Sequence, residues 1–247
     1  MKNLLKKIIR IIVKFLPIRL IIFFVQKILF FKLSSMKPND SLKSLMEFDN
    51  FIYQLSGQLA VEYGDGIHVK KRLTKYVEFF ALLAQRHGGP CLDIGCGDGE
   101  LCKMIAQKKI RVTGIDHSLN AIKKANKGES NHYSEFIHGD FNKIKIKKKF
   151  RTIILSNVIE HVDDRVNFIK RVKKDYSPKY FLIRVPSFER DWRVPLKKEL
   201  NVDYRLDSTH FIEYTEEILV DELKKSNLKI LQLKKVWGEI WLSAKTI

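Results

Sequence analysis

Cysteine is scarce in this chain: three among 247 residues, Cys91, Cys96 and Cys102, all in one short stretch. An odd number packed so closely does not make a disulfide framework. No histidine stands near them at zinc-ligand spacing, so a reducing compartment is the simplest reading, with no metal expected. Long apolar runs are missing as well. The longest uncharged apolar run is Leu20–Val25, far short of the ~20 residues that span a bilayer. Cations interrupt every stretch that would serve as the core of a signal peptide, and no small-residue cleavage site is clear. Internal repeats and low-complexity tracts are absent. Acidic residues are absent from positions 1–33, which carry Lys2, Lys6, Lys7, Arg10, Lys14, Arg19, Lys27 and Lys32. That segment holds +8 of the formal +18. The diffuse remainder is weak evidence for any partner, and nucleic acid is not expected.

With 45% hydrophobic residues the composition is that of a globular protein, and the length suits one α/β domain with an appendage. The appendage is residues 1–33. Before Pro17, Lys6, Lys7, Arg10 and Lys14 cluster on one helical face and leave Leu4, Leu5, Ile8, Ile9, Ile11, Ile12, Phe15 and Leu16 on the other. Pro17 breaks the helix, and Arg19, Gln26 and Lys27 mark the polar side of a second one. Basic amphipathic helices of this kind lie in the interface of anionic membranes. The expected location is therefore cytoplasmic and peripheral, on the inner face of the membrane.

Residues 34–40, polar and containing Pro38, read as a linker, and 41–89 as a helical extension with a turn at Gly64-Asp65-Gly66. From Pro90 the pattern alternates. Runs rich in β-formers at 91–94, 110–115, 135–138, 152–156 and 179–185 are separated by helical stretches near 99–108, 118–127 and 163–175. Such alternation predicts βαβ units and a parallel sheet with helices on both faces. A helix near 215–226 and two strands, 228–236 and 239–246, hinged at Trp237-Gly238, complete a seven-stranded α/β fold of Rossmann-like type.

The chemistry is concentrated in Cys91-Leu92-Asp93-Ile94-Gly95-Cys96-Gly97-Asp98-Gly99. A strand, three spaced glycines and a helix start form a nucleotide-cofactor loop, in which glycine permits positive φ and close backbone approach. Dinucleotide sites usually carry G-x-G-x-x-G; here the form is G-x-G-x-G with an acid before it. That acid would crowd a pyrophosphate but suits a cofactor with an ammonium group and no phosphate. Asp116 ends the second strand, where a carboxylate accepts from both ribose hydroxyls, with His117 beside it. Asp140 ends the third, placed to accept from an adenine amino group, with Phe141 placed to pack on the base.

Residues 90–247 resemble a class I S-adenosylmethionine-dependent methyltransferase: LDIGCGDG, GIDHS, HGDF and SNVIEHVDD match that family's motifs in order and spacing. The resemblance implies S-adenosyl-L-methionine as cofactor and a last strand running antiparallel. It implies that Asp93, Gly95, Cys96 and Gly97 hold the methionine end, Asp116 and His117 the ribose, Asp140 and Phe141 the adenine, and that Asn157 lies beside the sulfonium. The segments around 63–80 and 186–214 resemble the subset linked to bacterial surface-glycan assembly.

On the acceptor side His161 is a candidate base with Glu160 as its orienter, at the strand end where open α/β sheets bind ligands. Residues 186–214 are too long for an ordinary loop and read as a lid over the acceptor. That lid offers His210 as a second candidate base and Trp192, Tyr204 and Tyr214 as substrate contacts. The stretch Gly66–Arg72 can bring a cation to the cofactor carboxylate. The leading expectation is O-methylation of a polar, membrane-associated glycan or lipid-linked sugar. A quinone or lipid methyltransferase and a catalytically inactive scaffold are the alternatives.

Overall fold

A computed structural model describes residues 15–127 and 132–247. The amphipathic stretch expected before Pro17 lies, as far as Lys14, outside them. After Pro17 come α1 (Ile18–Ser34) and α2 (Pro38–Tyr63), then α3 (Val69–Thr74) and α4 (Tyr76–His87). The expected linker at 34–40 is corrected here: only Ser35, Met36 and Lys37 separate the two helices. Pro38 occupies the first turn of α2, where its missing N–H costs nothing and its fixed φ favours the helix.

The catalytic-type body alternates as expected: β1 (Cys91–Ile94), α5 (Glu100–Gln107), β2 (Val112–Asp116), α6 (Leu119–Ala125), β3 (Ser134–His138) and β4 (Thr152–Ser156). Then follow α7 (Arg165–Tyr176), β5 (Tyr180–Pro186), α8 (Arg193–Glu199), α9 (Glu216–Lys225), β6 (Leu228–Val236) and β7 (Glu239–Thr246). Among the described residues the strands form one sheet of seven, in the order β3-β2-β1-β4-β5-β7-β6. All neighbours pair in parallel except β7, which runs antiparallel to both β5 and β6.

Period-2 alternation divides the core into two layers. Leu92, Ile94, Ile153, Leu155, Phe181 and Ile183 face Phe168, Ile169 and Val172 of α7 and Leu219 and Leu223 of α9. Cys91, Ile154, Leu182 and Trp241 face Val77, Phe80 and Ala81 of α4 and Leu101 and Ile105 of α5. Because both faces are covered, the central strands are buried along their length. The strand order reverses between β1 and β4, which opens a crevice at their C-terminal ends, the ligand position of open α/β sheets.

The N-terminal helices are a different matter. α1 buries none of its residues, and Ile18, Ile28, Phe30 and Phe31 are each about two-thirds exposed. Among the described residues no helix is long and apolar enough to cross a membrane. α2 buries only Met46 but is pinned to the 186–214 segment. Asp49 pairs with both Arg193 and Lys197, and the Asn50 side chain donates to the Asp203 carbonyl.

Candidate active site

A cleft of about 370 Å³ opens at the crevice, lined among others by Gly95, Asp116, His117, Asp140, Phe141, Val158 and His161. The sheet register sets this up. Asp93, Gly114 and Phe136 are level across β1, β2 and β3, as are Ile94, Ile115 and Ile137, so Asp116 and His138 project together past the edge. Gly95, Gly97 and Gly99 all take positive φ. At Gly97 a Cβ would meet nothing within 4 Å, whereas at Gly99 it would strike the Phe136 ring at 2.5 Å. Gly97 therefore faces open space, and Gly99 permits close packing of the helix start on β3.

The Asp116 carboxylate accepts from the Gly97 N–H at 2.9 Å and the Ser118 N–H at 2.8 Å, which ties the loop to β2 and leaves lone pairs toward the cleft. Asp93 is 2% exposed. The Cys102 thiol donates to its Oδ2 at 3.3 Å, while Oδ1 has no hydrogen-bond partner. Burial pushes its pKa up to about 7, the Asp116 charge adding to the rise and the Cys102 hydrogen bond opposing it. Asp140 stands half-open at the rim, its Oδ1 accepting from the Asn142 N–H. Phe141 leans on Phe168 and Tyr176 and lines the cleft. His117 is exposed beside Asp116. Cys96 turns inward, under Gly114. Asn157 lies beyond β4 with φ +56°, and its N–H donates to the Arg184 carbonyl.

At the end of β4 the short helical turn Ile159–His161 brings Glu160 and His161 against His210 of the 186–214 segment. The two imidazoles meet edge to face at 4.5 Å. The Thr209 hydroxyl donates to Asp207 at 2.7 Å, so its oxygen accepts from His161 Nδ1 at 2.9 Å. His210 Nδ1 donates to Glu213 Oε1 at 2.9 Å, a carboxylate that also accepts from Arg190 and from the Leu206 N–H. The His210 ring is thus held by Glu213, while its backbone N–H donates to the Asp207 carbonyl. At both rings Nδ1 is engaged and Nε2 is the other nitrogen. Burial, followed by the His210 charge, holds the His161 pKa below the usual imidazole range. Glu160 is fully buried, and burial pushes its pKa up to about 7 against its own backbone N–H and the smaller pull of the His210 and Arg184 charges.

A family model described as a methyltransferase domain matches residues 66–233. The chain belongs to the class I S-adenosylmethionine-dependent methyltransferases. Among curated relatives, the ubiquinone biosynthesis O-methyltransferase of Bradyrhizobium diazoefficiens is 28% identical over 140 residues, 54% of each chain. The mitochondrial enzyme of that name from Schizosaccharomyces pombe is 32% identical over 96 residues, 37% of this chain and 35% of the relative. The chain spans about half the length, or less, of these relatives. Among solved structures, magnesium protoporphyrin IX methyltransferase from Synechocystis PCC 6803 with bound SAH gives a TM-score of 0.56 at 16% identity, covering 70% of this chain and 83% of that one. A methyltransferase from Streptomyces caelestis gives 0.55 at 11% identity, covering 69% and 89%. At such identities the structural likeness is one of fold.

The 186–214 segment, expected as a cover and so called the cover segment, is built on α8 and a short turn at Phe188–Arg190. With α2 and the β6–β7 turn it walls a second cavity of about 280 Å³, lined by Tyr53, Lys70, Arg190, Arg193, Tyr204 and Trp237 among others. Tyr204 packs on Phe188 at its wall, and Trp192 is 71% exposed. Tyr214, expected to touch substrate, does not: it is fully buried in the core, and its hydroxyl donates to Glu222 at 2.8 Å. That glutamate also holds Arg165, so the phenol completes a partly buried ion pair. Of the Gly66–Arg72 stretch, Lys71 reaches Glu100 at the start of α5 beside the glycine loop, while Lys70 runs to Glu239.

The network around Glu239 joins residues far apart in sequence. Arg184 of β5 grips Glu239 of β7 through two hydrogen bonds of 2.7 Å. Trp241 Nε1 donates to the same carboxylate at 2.7 Å, and the Arg184 guanidinium lies 3.8 Å over the Tyr76 ring. The lone arginine inside the apolar run Tyr180–Pro186 was the available signal, since a charge in a central strand needs a buried partner.

Proposed function

We propose that the chain transfers the S-methyl group of S-adenosylmethionine to a hydroxyl oxygen. The carrying observation is that His161, gathered with Glu160 and His210, lines the cleft that carries the cofactor motif. The cofactor supplies an electrophilic methyl group on sulfur. The chain's own residues hold and orient it. Asp93 Oδ1, buried without a partner, takes the ammonium, and Asp116 accepts from the ribose hydroxyls with the lone pairs that Gly97 and Ser118 leave open. Asp140 and the Phe141 ring receive the adenine, with Asn157 at the outer end of β4 nearest the reacting methyl. As the new C–O bond forms and the C–S bond breaks, the hydroxyl proton leaves to the histidine cluster. Positioning of donor and acceptor supplies most of the remaining rate.

For the acceptor, a phenolic hydroxyl of a quinol-type compound is favoured by the O-methyltransferase relatives and by the exposed apolar surface of α1, which suits a lipid-borne substrate. A sugar hydroxyl is the second reading, supported by the second cavity, where aromatic and charged side chains stand side by side as carbohydrate recognition requires. Labelled S-adenosylmethionine offered with 3,4-dihydroxybenzoate or with a lipid-linked oligosaccharide separates them: the labelled product is expected to be a phenyl methyl ether. His161→Ala is expected to lower kcat by about a hundredfold or more, the usual weight of a proton acceptor. Label on an amine nitrogen would overturn the oxygen assignment.

The basic amphipathic segment 1–33 is proposed to seat the enzyme on anionic lipid, with Ile18, Ile28, Phe30 and Phe31 as the part of the contact visible in the fold. Removal of residues 1–33 is expected to abolish co-sedimentation with phosphatidylglycerol vesicles and to leave S-adenosylhomocysteine binding unchanged. Sedimentation that survives the truncation would place the contact elsewhere.

A further inference from the structure

Glu160 is fully buried, and neither of its carboxylate oxygens has a hydrogen-bond partner. A carboxylate taken out of water without a donor is costly, and nature usually meets that cost with a proton, a cationic side chain or a metal ion. No Lys or Arg forms an ion pair with it among the described residues. Instead, one oxygen of Glu160 and one ring nitrogen each from His161 and His210 lie within 4.8 Å of one another. Three ligands at the ordinary Zn–N and Zn–O distances of a tetrahedral site stand about 3.4 Å apart, so small side-chain rotations close the gap.

The outer shell is already in place. A metal-bound histidine almost always donates its other N–H to a fixed acceptor, which sets the tautomer and aims the lone pair. Here His161 Nδ1 donates to Thr209, itself held by Asp207, and His210 Nδ1 donates to Glu213, itself held by Arg190. A histidine serving only to fill space has no need of such anchoring on both rings. Two imidazoles and one carboxylate form a donor set for first-row divalent ions; magnesium and calcium favour all-oxygen cages.

We propose that Glu160, His161 and His210 bind one first-row divalent cation such as Zn2+, with an open position facing the cleft. Two ligands come from the turn after β4 and the third from the cover segment, so the cation would fasten cover to sheet. The open position would take the acceptor hydroxyl and ease loss of its proton to solvent, the ligating imidazoles being no longer free to accept it; that clause rests on the oxygen-transfer reading above, with the cation in place of the histidines as activator, and the cation site itself does not.

The test uses the full chain, stripped with a chelator and titrated with Co2+ followed by visible absorption, and with Zn2+ by calorimetry. One equivalent is expected to bind, with ligand-field bands of a low-coordinate nitrogen–oxygen site. Glu160→Gln and His161→Asn should each weaken binding by at least about tenfold, while S-adenosylhomocysteine affinity stays as in the wild type. His161 is exposed, so its substitution keeps the test decisive even where Glu160→Gln fails to fold. No saturable Co2+ or Zn2+ binding to the wild type, or wild-type affinity in the His161 variant, overturns the site. Addition of 3,4-dihydroxybenzoate should shift the Co2+ bands. Unshifted bands with an intact site overturn the hydroxyl clause alone, and absence of methyl transfer from a protein that binds Co2+ tells against the transfer reading and not against the cation.

Discussion

Between pH 7.5 and 5.5 the affinity for S-adenosylhomocysteine is expected to fall on the order of twentyfold, because Asp93 must ionise to receive the ligand's ammonium group. In the ligand-free protein burial holds this carboxyl up to about 7, so acidification converts it to a neutral acid that has no charge to offer. Its Oδ1 is buried without a partner, one residue before the cleft-lining Ile94, and an ammonium there would supply the missing partner and draw the pKa back down. Asp93→Asn keeps the shape and the oxygen that accepts from Cys102 but removes the charge. The variant should bind weakly at every pH, by about tenfold to a hundredfold, the weight of a charge-assisted hydrogen bond. It should also lose the pH dependence. Isothermal calorimetry across that range reads both effects, and a flat wild-type profile would remove Asp93 from the methionine end. Folding has the opposite dependence. A carboxyl whose folded pKa is raised favours the fold fully only below its unfolded value of about 3.9, and loses that advantage as pH rises from there to about 7, so bound ligand should raise the melting temperature most on the alkaline side.

Glu239→Ala is expected to destabilise the fold by about 3–5 kcal/mol, the cost of leaving one member of a buried ion pair unpartnered. For a chain of this size that lowers the melting temperature by roughly 6–20 °C. Glu239 is 2% exposed and gathers Arg184, Lys70 and Trp241 on one carboxylate. Burial alone would raise its pKa, yet the hydrogen bonds and charge of Arg184, with those of Lys70, prevail and lower it. Its contribution is accordingly complete above the ordinary glutamate range near about 4.3 and is lost as pH falls through the depressed value. The double substitution Arg184→Met with Glu239→Leu should recover most of the stability, since a packed apolar pair often equals a buried ionic one. Melting followed by circular dichroism checks both, and a Glu239→Ala protein that melts like the wild type would show that the pair carries nothing.

Much of this molecule could be read from local pattern. The glycine loop, the acids ending β1 to β3 and the Trp237-Gly238 hinge of the terminal hairpin each rest on residues within a few positions of one another, where backbone sterics and alternation dominate. Pro38 was equally local and was misjudged: followed by Asn39 and Asp40, it opens a helix and does not mark a linker. What escaped depends on distance. Arg184 and Glu239 are 55 positions apart and meet only because β7 inserts antiparallel beside β5. Tyr214 looked like a lid aromatic, but its direction is fixed by Arg165 and Glu222 on two helices. The gathering of Glu160 and His161 with His210 likewise needs the cover segment to fold back onto the end of β4, a closure that no spacing within either segment announces.

The break between α1 and α2 is three residues long. Fully extended, that much chain spans at most about 10 Å, and α2 is itself bolted to the cover segment through Asp49. With α1 seated on lipid as proposed, the catalytic body cannot swing out into bulk solution on a slack tether. Its search for acceptor becomes two-dimensional: a substrate confined to the bilayer arrives by lateral diffusion, at a local concentration set by the area of membrane and not by the volume of the cell.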